Sequence, residues 1–127
     1  MRSADPTASQ LDVQIVEADD SGRVVLSMVV TAANTNSLGV CHGGVLFTLA
    51  DIVMNYVSNG DGDRAFAQHA SVDFIAPVEV GSTLRAAGVQ VSRRGRNGIC
   101  DVSIWSDHEL VATFRGRTVA VGGSITA

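Results

Sequence analysis

The residues that could do chemistry gather between positions 34 and 55. Asn36 lies in a polar loop. His42-Gly43-Gly44 stands where that loop runs into an apolar segment, Asp51 sits within the segment, and Asn55 follows one helical turn later. A carboxylate among Thr48-Leu49-Ala50 and Ile52-Val53-Met54 costs free energy unless it is paired or opens onto a solvated cleft. No arginine or lysine stands three or four residues away to pair with it. Burial raises a carboxylate's pKa, and groups perturbed in this way concentrate where a base or nucleophile is needed. A surface carboxylate, or one satisfied by a distant arginine, is the structural alternative. Gly43 and Gly44 head the apolar segment, where the first N–H groups of a helix lack partners and carry the positive end of its dipole. Without side chains they let a carbonyl oxygen approach and be stabilised as it gains charge. The same pair would also serve a tight turn or close helix packing, and the pattern leaves both uses open.

Spacing adds a constraint. Gly43 and Asp51 are eight residues apart on one helix, about 12 Å along its axis. Reacting atoms must lie about 3 Å from one another. If both residues act on one carbonyl group, they must come from different chains. Two such helices running antiparallel across a two-fold axis predict a dimer with two equivalent sites.

The elements that would position these groups are legible in the hydrophobic pattern. The chain has 127 residues, 46% of them hydrophobic, which suits one domain with its own core. Residues 1–10 are polar and contain Pro6, and are expected as a flexible tail before a single domain over 11–127. Residues 11–17 and 23–32 alternate as strands around a turn signal at Asp19-Asp20-Ser21-Gly22, which makes a hairpin. Residues 42–58 carry apolar side chains nearly all round a helical wheel, the mark of a buried helix. Asn59-Gly60-Asp61-Gly62 ends it, with glycine available for a left-handed cap. Strands are expected at 65–75, 82–92, 98–106 and 110–121. The economical packing is an α+β fold in which one antiparallel sheet wraps a single long central helix.

Several function classes are disfavoured. The net charge of −4 and the absence of a long lysine or arginine run argue against nucleic-acid binding. There is no secretory h-region and no apolar run near the roughly 20 residues that span a bilayer, so the protein is expected to be cytoplasmic, with no membrane partner. Cys41 and Cys100 are expected as free thiols. Cys41, His42, His69, Cys100 and His108 lack paired-ligand spacing, so no metal is expected. There is no G-x-S-x-G elbow and no phosphate-loop or dinucleotide motif. All nine basic residues are arginine. Arg93, Arg94 and Arg96 crowd one turn, with Arg115 and Arg117 as a second group. Either could grip phosphates, or simply be solvated.

The segment Cys41-His42-Gly43-Gly44-Val45-Leu46-Phe47-Thr48-Leu49-Ala50-Asp51 resembles the HGG…F.LAD signature of the phenylacetate-degradation (PaaI-type) thioesterases of the hotdog superfamily. Val72-Asp73-Phe74-Ile75-Ala76-Pro77 resembles that family's DF..P strand end, and Gly81-Ser82-Thr83-Leu84 follows it. Phe114-Arg115-Gly116-Arg117 and Gly122-Gly123-Ser124-Ile125 resemble its last strand, so the likeness spans residues 11–126. It implies a hotdog fold and hydrolysis of an aryl-acyl-CoA, of the phenylacetyl or hydroxyphenylacetyl type. Coenzyme A is then part of the substrate, and no further cofactor is expected. By this resemblance Asp51 is general base or nucleophile, and the Gly43 N–H of the facing subunit polarises the carbonyl. Asn36 helps place substrate, and His42 braces the loop or hydrogen-bonds near the thioester. Gly44, Asn55 and Phe74 are expected to touch substrate, with Arg93, Arg94, Arg96 and Arg115 toward the phosphates. Leu46, Met54 and Tyr56 join Phe74 as candidates for the acyl pocket. The family's usual assembly is a tetramer, a dimer of dimers. Two other functions stay in play: a hotdog dehydratase using His42 with Asp51, and an acyl-CoA-binding module that would not need Asp51.

Overall fold

The computed structural model describes residues 5–19, 22–59 and 63–124. In chain order the elements are helix α1 (Pro6–Gln10), strands β1 (Gln14–Ala18) and β2 (Val24–Val29), and a single 3-10 turn (Ala32–Asn34). Helix α2 (Gly43–Asn59) follows, then strands β3 (Asp63–Phe74), β4 (Thr83–Arg94), β5 (Asn97–Ser106) and β6 (Glu109–Ser124). The six strands form one antiparallel sheet in the order β1-β2-β4-β5-β6-β3. The sheet curls around α2, which packs on β2 through β6. This is the hotdog architecture.

Alternation decides which strand faces meet the helix. Leu26, Met28, Leu84, Ala86, Val102, Ile104, Ala112 and Phe114 point inward and are buried, together with Leu49, Ile52, Val53 and Met54 of α2. Two strand glycines let the helix sit close. A Cβ on Gly88 of β4 would run into Val53, and one on Gly116 of β6 into the Met54 sulfur. The β4–β5 hairpin turns through Gly95 and Arg96, between the paired Arg94 and Asn97. Gly95 has φ +60°, as a primed two-residue hairpin turn requires at its first central position.

Two expectations need correction. The flexible tail expected over residues 1–10 instead contains α1. The Asp5 carboxylate caps it, accepting from the N–H groups of Thr7 (2.9 Å) and Ala8 (3.2 Å), and Pro6 opens its first turn. Ala8 is only 2% exposed and joins the core. Helix α2 is also not buried all round. Gly44, Phe47 and Asn55 are exposed and Thr48, Asp51 and Asn59 half-buried, a stripe along one side of the helix. The glycines expected to cap α2 lie outside the described residues.

Candidate active site

The loop ahead of α2 is shaped by its own side chains. The Asn36 carboxamide oxygen accepts from the N–H groups of Leu38 (2.9 Å) and Val40 (3.4 Å). The His42 N–H donates to the Asn34 carbonyl at 2.7 Å, and the Cys41 N–H to the Val78 carbonyl at 2.7 Å. These bonds fix the entry into α2 against the segment that follows β3. His42 is the N-cap residue: its carbonyl accepts from Val45 (2.9 Å) and Leu46 (3.2 Å), and its Nδ1 accepts from the Gly44 N–H at 3.3 Å. His42 therefore ties the loop to the first turn of α2.

That cap separates the roles of the two glycines. The Gly44 N–H is occupied by His42, and the Gly44 carbonyl accepts from the Thr48 hydroxyl at 2.8 Å. The Gly43 N–H donates to no acceptor among the described residues. A Cβ added at Gly43 would lie 3.1 Å from Phe74 Cζ. The Phe74 ring, at the end of β3, thus rests against the exposed head of α2 and remains 54% exposed.

Asp51 lies two turns on, at the middle of the open stripe. Among the described residues its carboxylate accepts no hydrogen bond and meets no cation. Burial pushes its pKa above the ordinary carboxylate value, and the Asp5 carboxylate at the head of α1 pushes it further in the same direction. Both causes favour holding a proton, which is what a base that must take one from water needs. Thr48 and Asn55 stand one turn to either side, with Phe47 set edge-on to Phe114 at 5.3 Å. Asn55 is exposed, one turn beyond Asp51.

Other candidates fall elsewhere. Leu46 and Met54 are core residues, and Tyr56 packs partly buried against that core, so Phe74 alone of the four pocket candidates is open at the head of the helix. Arg115 is held by Asp101 on the face of the sheet away from α2, through two bonds of 2.6 and 2.7 Å. The pair pulls the Asp101 carboxyl below its ordinary pKa and raises that of Arg115. A depression of about 240 Å³ on that face, lined by Ser71, Asp73, Asp101, Ser103, Thr113 and Arg115, is separated from Gly43 and Asp51 by the thickness of the sheet. Arg93, Arg94 and Arg96 surround the β4–β5 hairpin tip. Arg94 pairs with Asn97, Asn97 with Val119 and Val119 with Phe66. That row lies at the C-terminal end of α2, where the Asn59 carboxamide oxygen accepts from the Ala65 N–H at 3.0 Å. Phe66 and Phe74 are eight residues apart on β3, about 26 Å for an extended strand. The hairpin arginines and Gly43 of one subunit are therefore at opposite ends. Cys41 and Cys100 are buried free thiols. Asp5 and the loop-bracing carbonyl of Asn34 were not singled out in the sequence. An Asp-Pro pair is a helix-start signal that could have pointed to the first.

A sheet wrapped on one helix, with a lone carboxylate on the open side of that helix and an unpaired N–H at its head, defines a hotdog protein. The comparisons give the family. The thioesterase superfamily model matches residues 38–113. The acyl-coenzyme A thioesterase PaaI of Escherichia coli is 38% identical over 99% of this chain and 90% of its own length. A solved structure of the E. coli PaaI protein from the phenylacetic acid degradation operon superposes with a TM-score of 0.92 at 35% identity, covering 95% of this chain and 88% of that one. A mutant form of the phenylacetic acid degradation protein PaaI from Thermus thermophilus gives a TM-score of 0.87 at 30% identity, covering 91% of this chain and 98% of that one. The chain belongs to the thioesterase superfamily, in its PaaI-type branch, and is by that membership a thioester hydrolase. No helix among the described residues is long and apolar enough to cross a membrane.

Proposed function

We propose that the protein hydrolyses an aryl-acyl-CoA, of the phenylacetyl or hydroxyphenylacetyl type, to the free acid and CoA. The observation that carries this reading is the pairing of an unoccupied Gly43 N–H, roofed by the Phe74 ring, with a half-buried Asp51 that has no partner of its own. The thioester carbonyl oxygen accepts from the Gly43 N–H. Asp51 takes a proton from water as the water oxygen bonds to the carbonyl carbon. The tetrahedral intermediate collapses, the C–S bond breaks, and the CoA thiolate leaves. Asp51 could instead attack directly, giving a mixed anhydride that water then opens; trapping with hydroxylamine distinguishes the two routes. The open Phe74 ring offers the aryl group an aromatic surface beside the reacting carbon. Asn36 shapes the loop that presents this head of α2, and Asn55 stands where it could hold the attacking water.

The two catalytic groups are eight residues apart on one helix, so the site is completed by a second subunit. Two features support a two-fold dimer. Strand β3 is an edge of the sheet twelve residues long, and antiparallel pairing with its copy would satisfy that edge. The open stripe of α2 would face the same stripe of the partner, bringing Asp51 to the partner's Gly43. Leu38 (83% exposed), Ile75 and Val80 leave apolar surface for two dimers to form a tetramer.

The test is release of free CoA from phenylacetyl-CoA and 4-hydroxyphenylacetyl-CoA, against acetyl-CoA and a medium-chain acyl-CoA. Turnover highest with the aryl esters, and lost in Asp51→Asn, supports the reading. Binding of the esters without CoA release by wild type would overturn it in favour of a binding module. Equal or better turnover of the aliphatic esters would overturn the aryl assignment.

A further inference from the structure

The face of the sheet away from α2 carries a second depression, of about 250 Å³, lined by Arg23, Val25, Arg85, Ala87, Trp105 and Asp107. The catalytic centre uses none of these residues. Leu26, Leu84, Ala86 and Ile104 point inward and are buried, so their neighbours Val25, Arg85 and Trp105 point outward. Arg85 pairs with Ser27 on one side and Trp105 on the other, and Val25 pairs with Ala87 one row along. Arg23 lies a further row along β2. Asp107 lies two residues beyond Trp105, in the turn that joins the paired Ser106 and Glu109. Along the strands the order is therefore Arg23, then Val25 with Ala87, then Arg85 with Trp105, then Asp107.

The polar groups of this depression are largely unused. Among the described residues, the side chains of Arg85 and Asp107 make no hydrogen bond or ion pair, and the Trp105 indole N–H donates to no acceptor. Arg85 and Asp107 stay apart although two residues along the strands and one strand across separate their positions by only about 8 Å. Arg23 shares one contact of 3.2 Å with Glu17, and both side chains are nearly half exposed. Trp105 is 39% exposed, and Val25 beneath it is closed off at 1%. Each feature narrows the ligand. Guanidinium groups on either side of Val25 and Ala87 suit a carboxylate, which they can grip with paired bonds. The indole face suits a flat ring. Asp107 at the far end repels a second anionic group and calls for a hydrogen-bond donor.

We infer that this depression is a second ligand site that takes a small aromatic carboxylate with a hydroxyl group across its ring. The carboxylate lies between Arg23 and Arg85, the ring against Trp105, and the hydroxyl donates to Asp107. The site stands on its own residues. The hydroxyphenylacetic acid that the proposed reaction would release belongs to this ligand class, and that link alone rests on the proposed function.

Trp105 is the one tryptophan of the chain, so its fluorescence reports on this depression. Titration of wild type with 4-hydroxyphenylacetate should change it saturably. Affinity should fall about tenfold in Arg85→Gln, the scale of one charge-assisted contact, and by at least as much for the neutral 4-hydroxyphenylacetamide. Phenylacetate, which has no hydroxyl for Asp107, should bind wild type less tightly. No saturable change in wild type, or equal affinity in Arg85→Gln, overturns the site. Equal affinity for phenylacetate overturns the role of Asp107. A thioether analogue of phenylacetyl-CoA separates the two faces of the sheet. The acid should still saturate Trp105 with the analogue in excess, and its displacement would place the acid in the catalytic cleft and overturn the second site. Neither titration needs turnover, so failure of wild type to hydrolyse its ester would defeat the catalytic reading and leave this site to be decided by the fluorescence.

Discussion

At the scale of single residues, the proposed mechanism would make Asp51 the place where function and stability oppose one another. Burial and the Asp5 carboxylate raise its folded-state pKa above the ordinary 3.8. Between that value and the raised one, the unfolded chain gives up its proton first, so stability falls as pH rises through the interval and stays reduced above it. Asp51→Asn removes the penalty. The variant should lose at least about 100-fold in turnover, the scale of a lost general base. It should also be more stable than wild type at pH 7, and its advantage should vanish below pH 3.8. Urea unfolding at the two pH values checks this, and a variant less stable than wild type at pH 7 would show that Asp51 is satisfied in the native protein. The thiols behave differently. Burial pushes Cys100 up to about 12, with the Asp101 carboxylate adding to the effect, and burial also raises Cys41. Reactivity follows thiolate character, so neither should be alkylated by iodoacetamide at pH 8 until denaturant unfolds the chain, as mass spectrometry would show.

At the scale of elements, the fit of α2 to the sheet depends on what the strands lack. Val53 is branched at Cβ and cannot swing away from an added methyl as a flexible chain can. Gly88→Ala should therefore destabilise the protein by about 1–3 kcal/mol, the cost of overpacking a filled core, measurable as a lower urea midpoint. An unchanged midpoint would mean that α2 can lift from β4 without loss. The elements themselves were largely legible. The helix expected at 42–58 is found at Gly43–Asn59, and each expected strand is present with ends shifted by a few residues. Periodicity carries this, since a long helix and half-buried strands each write their repeat into the apolar positions. α1 escaped because five residues are too short to show a repeat. The open stripe of α2 escaped because Phe47, its large apolar residue, fills out the apolar wheel whether or not a neighbour in the same chain covers it. The site divides in the same way. Gly43 and Asp51 stood out by residue type, a side-chain-free helix head and an unpaired carboxylate. The capture of Arg115 by Asp101, fourteen residues earlier, and the use of the Gly44 N–H by His42 follow from the folded path of the chain, which no local pattern records.

At the scale of the whole molecule, the proposed dimer would have each subunit hold two halves of two different sites. Asp51 and Gly43 are fixed on one rigid helix, so no rearrangement within a subunit can bring them to one carbonyl. The open stripe of α2 and the unpaired edge of β3 belong to the same surface problem, and one two-fold contact would solve both. This makes a prediction that no single-chain mechanism shares. Gly43→Val places a side chain where a Cβ already lies 3.1 Å from Phe74 Cζ, so it should block the carbonyl from the Gly43 N–H and inactivate the enzyme. Asp51→Asn should inactivate it by removing the base. When the two inactive proteins are unfolded together and refolded as a mixture, half of the dimers should be mixed. Each mixed dimer has one site with both substitutions and one with neither, because an isologous contact pairs Gly43 of each chain with Asp51 of the other. The mixture should therefore recover about a quarter of wild-type turnover. Recovery would place the two groups on different subunits of one site. A mixture that forms mixed dimers yet stays inactive would mean that each chain holds its catalytic groups on its own, and the shared site would have to be abandoned.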